Sequence, residues 1–346
     1  MADHFFSYHG MLVKSIHNAC PTPIDSWPKE MRVLHCYGYA ARTTLNFHET
    51  HFNRIFIMPT DKFLAVWVSH SSISDFLACP RAYYLKNLYK DSKTGHKMTL
   101  MSPALALGQV VHSVLESLSV LPVNERFSTP LIEKFHKEWE KLSGKHGVFF
   151  DTTTEQQYKR RGEAMIKRVY NHPGPVEKLA VKISLDLPQY WLSEDEGIML
   201  CGKIDWLEYL PESDSVHIID FKTGQREEDP NSLQLPIYHL LVHNCQQRKV
   251  TQASYWYLER DDHLTEVQLP TLEDAHTRVL AVAQKIKLAR QLKKFDCKEG
   301  GCIHCNDFER IIRGEGEFVG NDQYKRDVYI LQRTSQNKNA KESVIL

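Results

Sequence analysis

Two apolar segments that flank a compact turn constrain the fold of this chain more than any other feature of its sequence. Residues 202–207 read Gly-Lys-Ile-Asp-Trp-Leu, residues 218–224 read Ile-Ile-Asp-Phe-Lys-Thr-Gly, and Pro-Glu-Ser-Asp at 211–214 is typical of a tight turn. A turn centred on the bond between residues 212 and 213 places Asp205 directly opposite Asp220 in an antiparallel hairpin. Facing residues of such a pair have β-carbons ~4.5–5.5 Å apart, so two carboxylates are predicted to share one face.

Lys222 lies on the same face of the predicted strand as Asp220, because side chains two residues apart point the same way. Ile219 and Phe221 then point to the opposite face and into a core. Two facing carboxylates repel each other unless a cation lies between them or one of them takes up a proton. Oxygen ligands favour Mg²⁺ or Mn²⁺ over zinc, and a lysine beside such an ion neutralises charge on a phosphoryl oxygen. The alternative is an exposed hairpin in which aspartate and lysine form a surface ion pair.

Two further pairs of residues have the i, i+4 spacing that places side chains on one helix face. Gln234 and Tyr238 form one pair within Gln-Leu-Pro-Ile-Tyr, and Gly108 and His112 form the other within Gly-Gln-Val-Val-His. The absence of a side chain at Gly108 allows another element to approach closely. His112 also has a simpler interpretation, as an ordinary helix histidine beside Glu116.

The ordered set G-x-x-x-H, G-x-I-D, D-F-K-T-G and Q-L-P-x-Y resembles the RecB-type exonuclease branch of the PD-(D/E)xK nuclease superfamily. That branch includes CRISPR-associated nucleases and the nuclease domains of recombination complexes. The resemblance spans residues 72–305 and implies a restriction-endonuclease-like α/β core, whose mixed central sheet is flanked by helices and carries a helical insertion. It implies that the metal ligands are His112, Asp205, Asp220 and the backbone carbonyl of Phe221. It also implies that the catalytic residues are Asp205, Asp220, Lys222, Gln234 and Tyr238.

Three cysteines within nine residues, Cys297, Cys302 and Cys305, surround a Gly-Gly pair and predict a metal knuckle that needs a fourth ligand. Scattered free thiols are the alternative. The RecB-type resemblance implies a [4Fe–4S] cluster, with Cys79 as the fourth ligand. The spacing C-x4-C-x2-C departs from the usual pattern of that branch, and structural Zn²⁺ is the alternative cofactor. The four remaining cysteines are interpreted as ordinary small residues.

The residue pattern along the chain predicts three regions. Residues 1–57 contain six histidines and no regular pattern, which indicates either an irregular subdomain or an extension upstream of a translation start at Met58. Residues 58–334 form the nuclease-like domain, and residues 335–346 form a polar, flexible tail. Within the domain, the helical part is predicted at about 74–172, the catalytic core at about 176–293 and the cysteine knuckle at 297–305.

Three local predictions in this domain depend on short patterns alone. Ser74 is predicted to cap a short helix, residues 179–187 to form the first core strand, and residues 198–209 to form one continuous strand. The family resemblance also suggests Glu177 as a further acidic position, but its spacing to Asp205 is longer than the family pattern.

Charge and hydropathy exclude several classes of protein. The chain has 43 basic and 43 acidic residues, so any contact with nucleic acid depends on a local patch. The longest apolar run, residues 63–68, is far shorter than the ~20 residues of a membrane span, and no signal peptide is evident, which favours a cytoplasmic protein. No P-loop motif occurs, so a helicase partner would be a separate protein. Small basic clusters at 159–161 and 293–294 are interpreted as solvated faces that could also hold phosphates.

Aromatic residues near the predicted core have two interpretations. They could stack on unpaired bases, or they could belong in part to the core. The residues concerned are Tyr83, Tyr84, Tyr255, Trp256 and Tyr257.

The sequence therefore predicts a metal-dependent DNA nuclease, an exonuclease that acts on single-stranded ends in DNA repair or recombination. One alternative is a non-catalytic nucleic-acid-binding subunit that keeps the fold as a scaffold. Another is a nuclease of CRISPR adaptation, which would use the same chemistry. The retained Asp205, Asp220 and Lys222 argue against the scaffold.

Overall fold

The computed structural model describes residues 61–332 of the chain. Helices and short strands alternate through this range in a mixed α/β architecture, as predicted. The α-helices are α1 (His70–Ala78), α2 (Pro80–Tyr83), α3 (Pro103–Glu116), α4 (Leu131–Glu140), α5 (Thr152–Asn171), α6 (Gln234–Cys245), α7 (Leu272–Leu292) and α8 (Asn306–Ile312). The strands are β1 (Val66–Val68), β2 (Met98–Leu100), β3 (Gln189–Ser193), β4 (Ile198–Cys201), β5 (Trp206–Leu210), β6 (Ser215–Lys222), β7 (Lys249–Tyr257), β8 (Thr265–Glu266), β9 (Glu317–Asn321) and β10 (Asp327–Ile330).

The central sheet is mixed and has the strand order β5-β6-β7-β8. Strand β6 is antiparallel to β5 and parallel to β7. In the β5–β6 hairpin Trp206 lies opposite Ile219, and Leu210 lies opposite Ser215. This register is the one that the turn sequence predicts, and Asp214 takes the left-handed conformation (φ 42°) that such a reversal needs.

Strand β6 is buried along almost its whole length, because hydrophobic layers cover both faces of the sheet. On one face, Ile219 and Phe221 pack with Trp206 into a core that includes apolar residues of α3, α4 and α5. On the other face, Val216 and Ile218 pack into a core shared with α6 and α7. The prediction that Ile219 and Phe221 point into a core is confirmed.

Two smaller sheets accompany the central one. The first has the order β1-β4-β3 and the second the order β2-β10-β9, each with one parallel and one antiparallel pair. The second sheet joins Met98 to Asp327 across most of the described chain. Its strands are only three to five residues long, so their local patterns did not predict them.

The predicted first core strand is wrong. Residues 179–187 form no strand, and Ala180 makes only an isolated bridge with Glu208. The strand in this part of the chain is β3, which begins at Gln189, two residues after the end of the predicted strand. Leu179, Leu185 and Leu187 are all more than 40% exposed, so the apolar residues that suggested a strand do not fill a core.

The predicted single strand at 198–209 is also wrong, because it is divided between two sheets. Strand β4 ends at Cys201, and β5 begins at Trp206 in the central sheet. Gly202 lies at the break, where a β-carbon would approach Leu241 Cδ1 to 2.9 Å. The break ends just before β5, so that Asp205 lies at the entry of the hairpin.

The cap predicted for the first helix lies at a different serine. Ser69 is the N-cap of α1, and its side chain accepts a hydrogen bond from the N–H of Ser72. Ser74 lies inside the helix instead. The mutual hydrogen bonds of Ser69 and Ser72 satisfy two N–H groups at the helix start, which explains why the helix begins earlier.

Several predictions fall outside the described residues. They are the irregular extension at 1–57, the translation start at Met58, the tail at 335–346, and the interpretation of Cys20 and Cys36. The division of residues 58–334 into helical, catalytic and cysteine-bearing parts stays a prediction.

Candidate active site and cysteine cluster

The open end of the β5–β6 hairpin brings the two predicted aspartates to the same region. Asp205 lies one residue before β5, and its Oδ2 accepts a hydrogen bond of 3.0 Å from the backbone N–H of Phe221. Asp220 is only 2% exposed, and its Oδ1 accepts a hydrogen bond of 2.7 Å from Gln234 Nε2. Because Trp206 pairs with Ile219, the next positions in the same register are Asp205 and Asp220.

Lys222, the last residue of β6, lies among acidic, amide and aromatic groups. Its Nζ lies 2.9 Å from Asp220 Oδ2 and 2.9 Å from Glu228 Oε2, and it also donates a hydrogen bond to Gln234 Oε1. The ring of Tyr255 lies below it, with the ring centre 4.8 Å from Nζ. The ammonium group is therefore held at one end of the carboxylate pair.

Helix α6 presents the predicted amide and phenol on one face. Gln234 Nε2 donates to Tyr238 Oη at 3.2 Å in addition to Asp220, so one amide links the carboxylate, the lysine and the phenol. The helix begins at Gln234, whose N–H donates to Ser232 Oγ at 3.3 Å. Pro236 therefore lies in the first turn, where its missing N–H has no partner to lose.

His112 approaches the hairpin from α3. Its Nδ1 lies 3.3 Å from Asp205 Oδ1. Glu116, one turn further along the same helix, joins these two residues, and the three ligand atoms lie within 4.8 Å of one another. Gly108 permits the approach of this helix, because a β-carbon there would lie 3.3 Å from Thr223 Oγ1.

Burial and neighbouring charges together shift the pKa values of three groups in this site. Burial raises the pKa of Asp220 to about 7, and the nearby carboxylate of Asp205 contributes to the rise. Burial lowers the pKa of His112, but the carboxylates of Asp205, Asp220 and Glu116 outweigh it and raise the value to about 9. Burial likewise opposes the charge of Lys222, yet Asp220 and Glu228 raise the pKa of its ammonium group above the usual range.

The donor atoms fit a divalent cation that prefers hard ligands. They are carboxylate oxygens, which suit Mg²⁺ or Mn²⁺, together with one imidazole nitrogen. Asp220 Oδ2 supports the fit, since this buried atom lies near Lys222 Nζ but receives no well-directed hydrogen bond. A cation in this site would lower the cost of holding the two ionised aspartates together.

Comparison with known families identifies the fold. Residues 67–307, more than half of the chain, match the family model described as the PD-(D/E)XK nuclease superfamily. The chain belongs to the PD-(D/E)XK nuclease superfamily. Members of this superfamily are nucleases that typically use Mg²⁺ or Mn²⁺. The general activity of the family is therefore the hydrolysis of nucleic acids. A search of curated proteins gives no match.

Three residues near the PD-(D/E)XK site were not predicted from the sequence as functional. Glu116 could have been found from its i, i+4 spacing to His112. Glu228 lies in the loop between β6 and α6, and no local pattern indicates its contact with Lys222. His70, at the start of α1, lies close enough to Lys222 and Glu228 to feel both charges, and burial together with Lys222 lowers its pKa to about 4.

Other residues that the sequence suggested as functional have no described contact with the site, are buried, or are held in ion pairs. Glu177 is exposed and has no described contact with the aspartates. The interpretation of the aromatic residues as base-stacking groups is wrong for four of the five, because these four side chains are at most 6% exposed. They are Tyr83, Tyr255, Trp256 and Tyr257. Arg161, from one of the two basic clusters, forms a bidentate ion pair with Glu259 at 2.8 and 2.7 Å.

The four predicted knuckle cysteines come together. The sulfur atoms of Cys79, Cys297, Cys302 and Cys305 all lie within 4.8 Å of one another. Gly300 and Gly301 have φ values of 67° and 156°, so the Gly-Gly pair lets the backbone wrap around the sulfurs.

The surroundings of the cluster favour a thiolate at one position and hold the flanking helices together. Burial opposes ionisation of Cys302, but the N–H groups of His304 and Cys305 outweigh it and lower the pKa of the thiol to about 7. Arg81 of α2 forms an ion pair of 2.5 Å with Glu309 of α8. Four convergent thiols supply the full ligand set of a structural metal or cluster.

Within residues 61–332, no helix combines the length and the apolarity that a membrane span requires.

Proposed function

We infer that this chain is a Mg²⁺- or Mn²⁺-dependent DNA nuclease, an exonuclease of the RecB-type branch that acts on single-stranded ends in repair or recombination. The observation that carries this proposal is the contact of 2.9 Å between Lys222 and Asp220, beside Asp205 and His112. The motifs around these residues support the RecB-type assignment, and the match to the nuclease superfamily supports the reaction class.

In the proposed reaction, His112, Asp205, Asp220 and the backbone carbonyl of Phe221 would hold the divalent cation. When bound, it would neutralise charge at the scissile phosphate and lower the pKa of water. Lys222 directs its ammonium group toward the developing negative charge on a phosphoryl oxygen and orients the attacking water. Gln234 restrains Lys222 and Asp220 at the same time, because its amide contacts both.

Tyr238 completes this support at the back of the site. It is 7% exposed, and burial raises the pKa of its phenol well above the usual value, so it remains protonated and able to hydrogen-bond. Because Gln234 and Tyr238 lie on one face of α6, the helix holds the amide in a single orientation. We assign both residues to positioning of Lys222 and Asp220.

The decisive experiment uses end-labelled single- and double-stranded DNA with Mg²⁺, Mn²⁺ or EDTA. It compares the wild type with Asp220→Ala, Lys222→Ala and the control Asp214→Asn. Asp214 is an exposed aspartate in the turn of the same hairpin, and asparagine tolerates its left-handed backbone. We expect metal-dependent loss of label from single-stranded ends with the wild type and Asp214→Asn, and none with the other two variants.

Two outcomes would overturn the proposal. Equal degradation by all four proteins would identify a contaminating nuclease and remove the catalytic assignment. Tight binding of single-stranded DNA by the wild type without any cleavage, in either metal, would favour the non-catalytic subunit.

For the cysteine cluster we propose the [4Fe–4S] cofactor that the RecB-type resemblance implies. The sulfur spacing favours zinc as a second candidate, since all four sulfurs lie within 4.8 Å of one another and Cys302 Sγ lies 3.7 Å from Cys305 Sγ. Zn–S bonds of ~2.3 Å in a tetrahedron place sulfurs about 3.8 Å apart, whereas the four irons of a cubane cluster separate them further. Anaerobic purification followed by metal analysis distinguishes the two: iron with broad absorbance near 400 nm indicates the cluster, and stoichiometric zinc in a colourless protein indicates the alternative.

A further inference from the structure

The last turn of α3 brings a third acidic side chain to the active site. Glu116 is the final residue of the helix, and it lies one turn beyond His112 on the same face. Ligand atoms of Glu116, His112 and Asp205 lie within 4.8 Å of one another. Their side chains are 24%, 28% and 10% exposed, so this group forms the outer, solvent-facing part of the site.

The surroundings of Glu116 favour a cation. The C-terminal end of a helix carries a negative partial charge, which adds to the charge of the Glu116 carboxylate. Glu116 contacts the ammonium group of Lys203, whose side chain is 59% exposed. An exposed ion pair of this kind contributes little to stability, so a divalent ion can displace Lys203 at small cost.

A second observation concerns the buried carboxylate next to Asp205. Asp220 Oδ2 lies 2.9 Å from Lys222 Nζ, but in a geometry that makes no well-directed hydrogen bond. Asp205 connects the two parts of the site, because its Oδ2 faces the N–H of Phe221 and its Oδ1 faces His112. A cation near Asp205 therefore has carboxylates on more than one side, with Glu116 as the outermost.

We propose that Glu116 is a further protein ligand of the divalent cation, which it holds together with His112 and Asp205. This inference rests on the proposed function and extends the ligand set beyond His112, Asp205, Asp220 and the carbonyl of Phe221. The two carboxylates supply the hard oxygen ligands that Mg²⁺ and Mn²⁺ prefer, and the imidazole adds one nitrogen ligand. Lys203 occupies the position beside Glu116 when the cation is absent.

The test measures metal binding without DNA and without turnover. Mn²⁺ is titrated into the metal-free full-length protein, and the free ion is followed by its electron paramagnetic resonance signal. The variants are Glu116→Gln, which removes a ligand charge, and Lys203→Gln, which removes the competing ammonium. Glu196→Gln is the matched control, because Glu196 also pairs with a lysine, Lys287, but outside the active site.

We expect Glu116→Gln to weaken Mn²⁺ binding at least tenfold, Lys203→Gln to leave it unchanged or strengthen it, and Glu196→Gln to have no effect. Thermal unfolding in EDTA checks that each variant is folded, and Glu116→Asp serves as a second variant with a shorter reach and an intermediate affinity.

Wild-type affinity in folded Glu116→Gln would overturn the inference and leave the proposed nuclease intact. Absence of Mn²⁺ binding by the wild type would overturn both the inference and the metal dependence proposed above. The two failures are therefore distinguishable.

Discussion

Asp220 illustrates how a buried side chain with a proposed catalytic role carries a cost in stability. Its pKa is raised from 3.8 to about 7, mainly because burial disfavours the charged carboxylate. An acid whose pKa is higher in the folded state favours folding while it is protonated, and this contribution is lost as the pH rises from about 4 to 7. At pH 8 without metal, the ionised carboxylate therefore destabilises the folded protein.

We predict that Asp220→Asn abolishes nuclease activity and raises the melting temperature in EDTA at pH 8. The activity should fall by ~10³-fold or more, because Lewis-acid stabilisation contributes several kcal/mol. The melting temperature should rise by about 3 °C or more, since ~1 kcal/mol corresponds to roughly 2–4 °C in a domain of this size. Differential scanning calorimetry measures the melting temperature of the metal-free protein in EDTA and of the protein in Mg²⁺. A lower melting temperature of the variant in EDTA would contradict this account of the buried charge.

Glu228 is predicted to position Lys222. Its carboxylate lies 2.9 Å from the ammonium group of Lys222, and it is not one of the predicted metal ligands. Glu228→Gln should lower kcat by about tenfold with little change in KM, because a loosened lysine stabilises the transition state less well while DNA binding is unaffected. Glu228→Asp should recover part of the rate. An unchanged kcat in Glu228→Gln would show that Asp220 and Gln234 suffice to hold Lys222.

At the scale of the element, strands β5, β6 and β7 carry a network of polar side chains, here called the relay, in addition to the candidate active site. His217 Nδ1 lies 3.0 Å from Glu208 Oε2, and His217 Nε2 lies 2.8 Å from Ser254 Oγ. Lys178 completes the relay at 2.9 Å from Glu208 Oε1. Ser254 is 1% exposed, so this serine and histidine have a structural role and cannot reach a substrate.

We predict that Ser254→Ala destabilises the protein by about 1–3 kcal/mol, because it leaves a ring nitrogen of His217 buried without its partner. Nuclease activity measured well below the melting temperature should remain close to that of the wild type. Chemical denaturation measures the free energy of unfolding, with Ser128→Ala as the control, since Ser128 is exposed and bonds only to a local carbonyl. Equal stability of the two variants would show that the relay contributes nothing measurable.

Elements whose ends carry local signals were predictable. Helix α7 begins with such a signal, because the Thr271 side chain accepts a hydrogen bond from the N–H of Asp274, only three residues away. The same locality explains the register of the β5–β6 hairpin, where a tight turn joins neighbouring strands. The division of residues 198–209 into β4 and β5 was not predictable, because β4 joins a sheet with the distant strand β1, whereas β5 pairs with β6 in a different sheet.

At the scale of the whole molecule, the cysteine cluster connects the beginning of the described chain to its end. Cys79 lies between α1 and α2, whereas Cys305 immediately precedes α8. A metal bound to all four cysteines closes a loop of more than two hundred residues and restrains the unfolded chain.

We predict that Cys305→Ser lowers the metal content of the cluster and the melting temperature by roughly 8 °C or more, since loss of a structural metal costs ~4 kcal/mol or more. Cys245→Ser is the control, because Cys245 lies outside the cluster and its weak hydrogen bond to the carbonyl of Gln189 can be kept by a hydroxyl. Metal analysis and thermal unfolding measure the two effects. A melting temperature unchanged by Cys305→Ser would show that the cluster does not hold the two ends together.

The sequence by itself determined that Asp205, Asp220 and Lys222 share one face, because turn chemistry and strand alternation act between residues that are close along the chain. It also determined which residue types could ligate a metal, since the motifs carry those side chains at set spacings. Only the tertiary structure decided that Glu116 reaches Asp205 and that Glu228 reaches Lys222. These contacts arise where α3 and the loop before α6 pack against the hairpin, and the packing of distant elements depends on the shape of the whole core rather than on any local pattern.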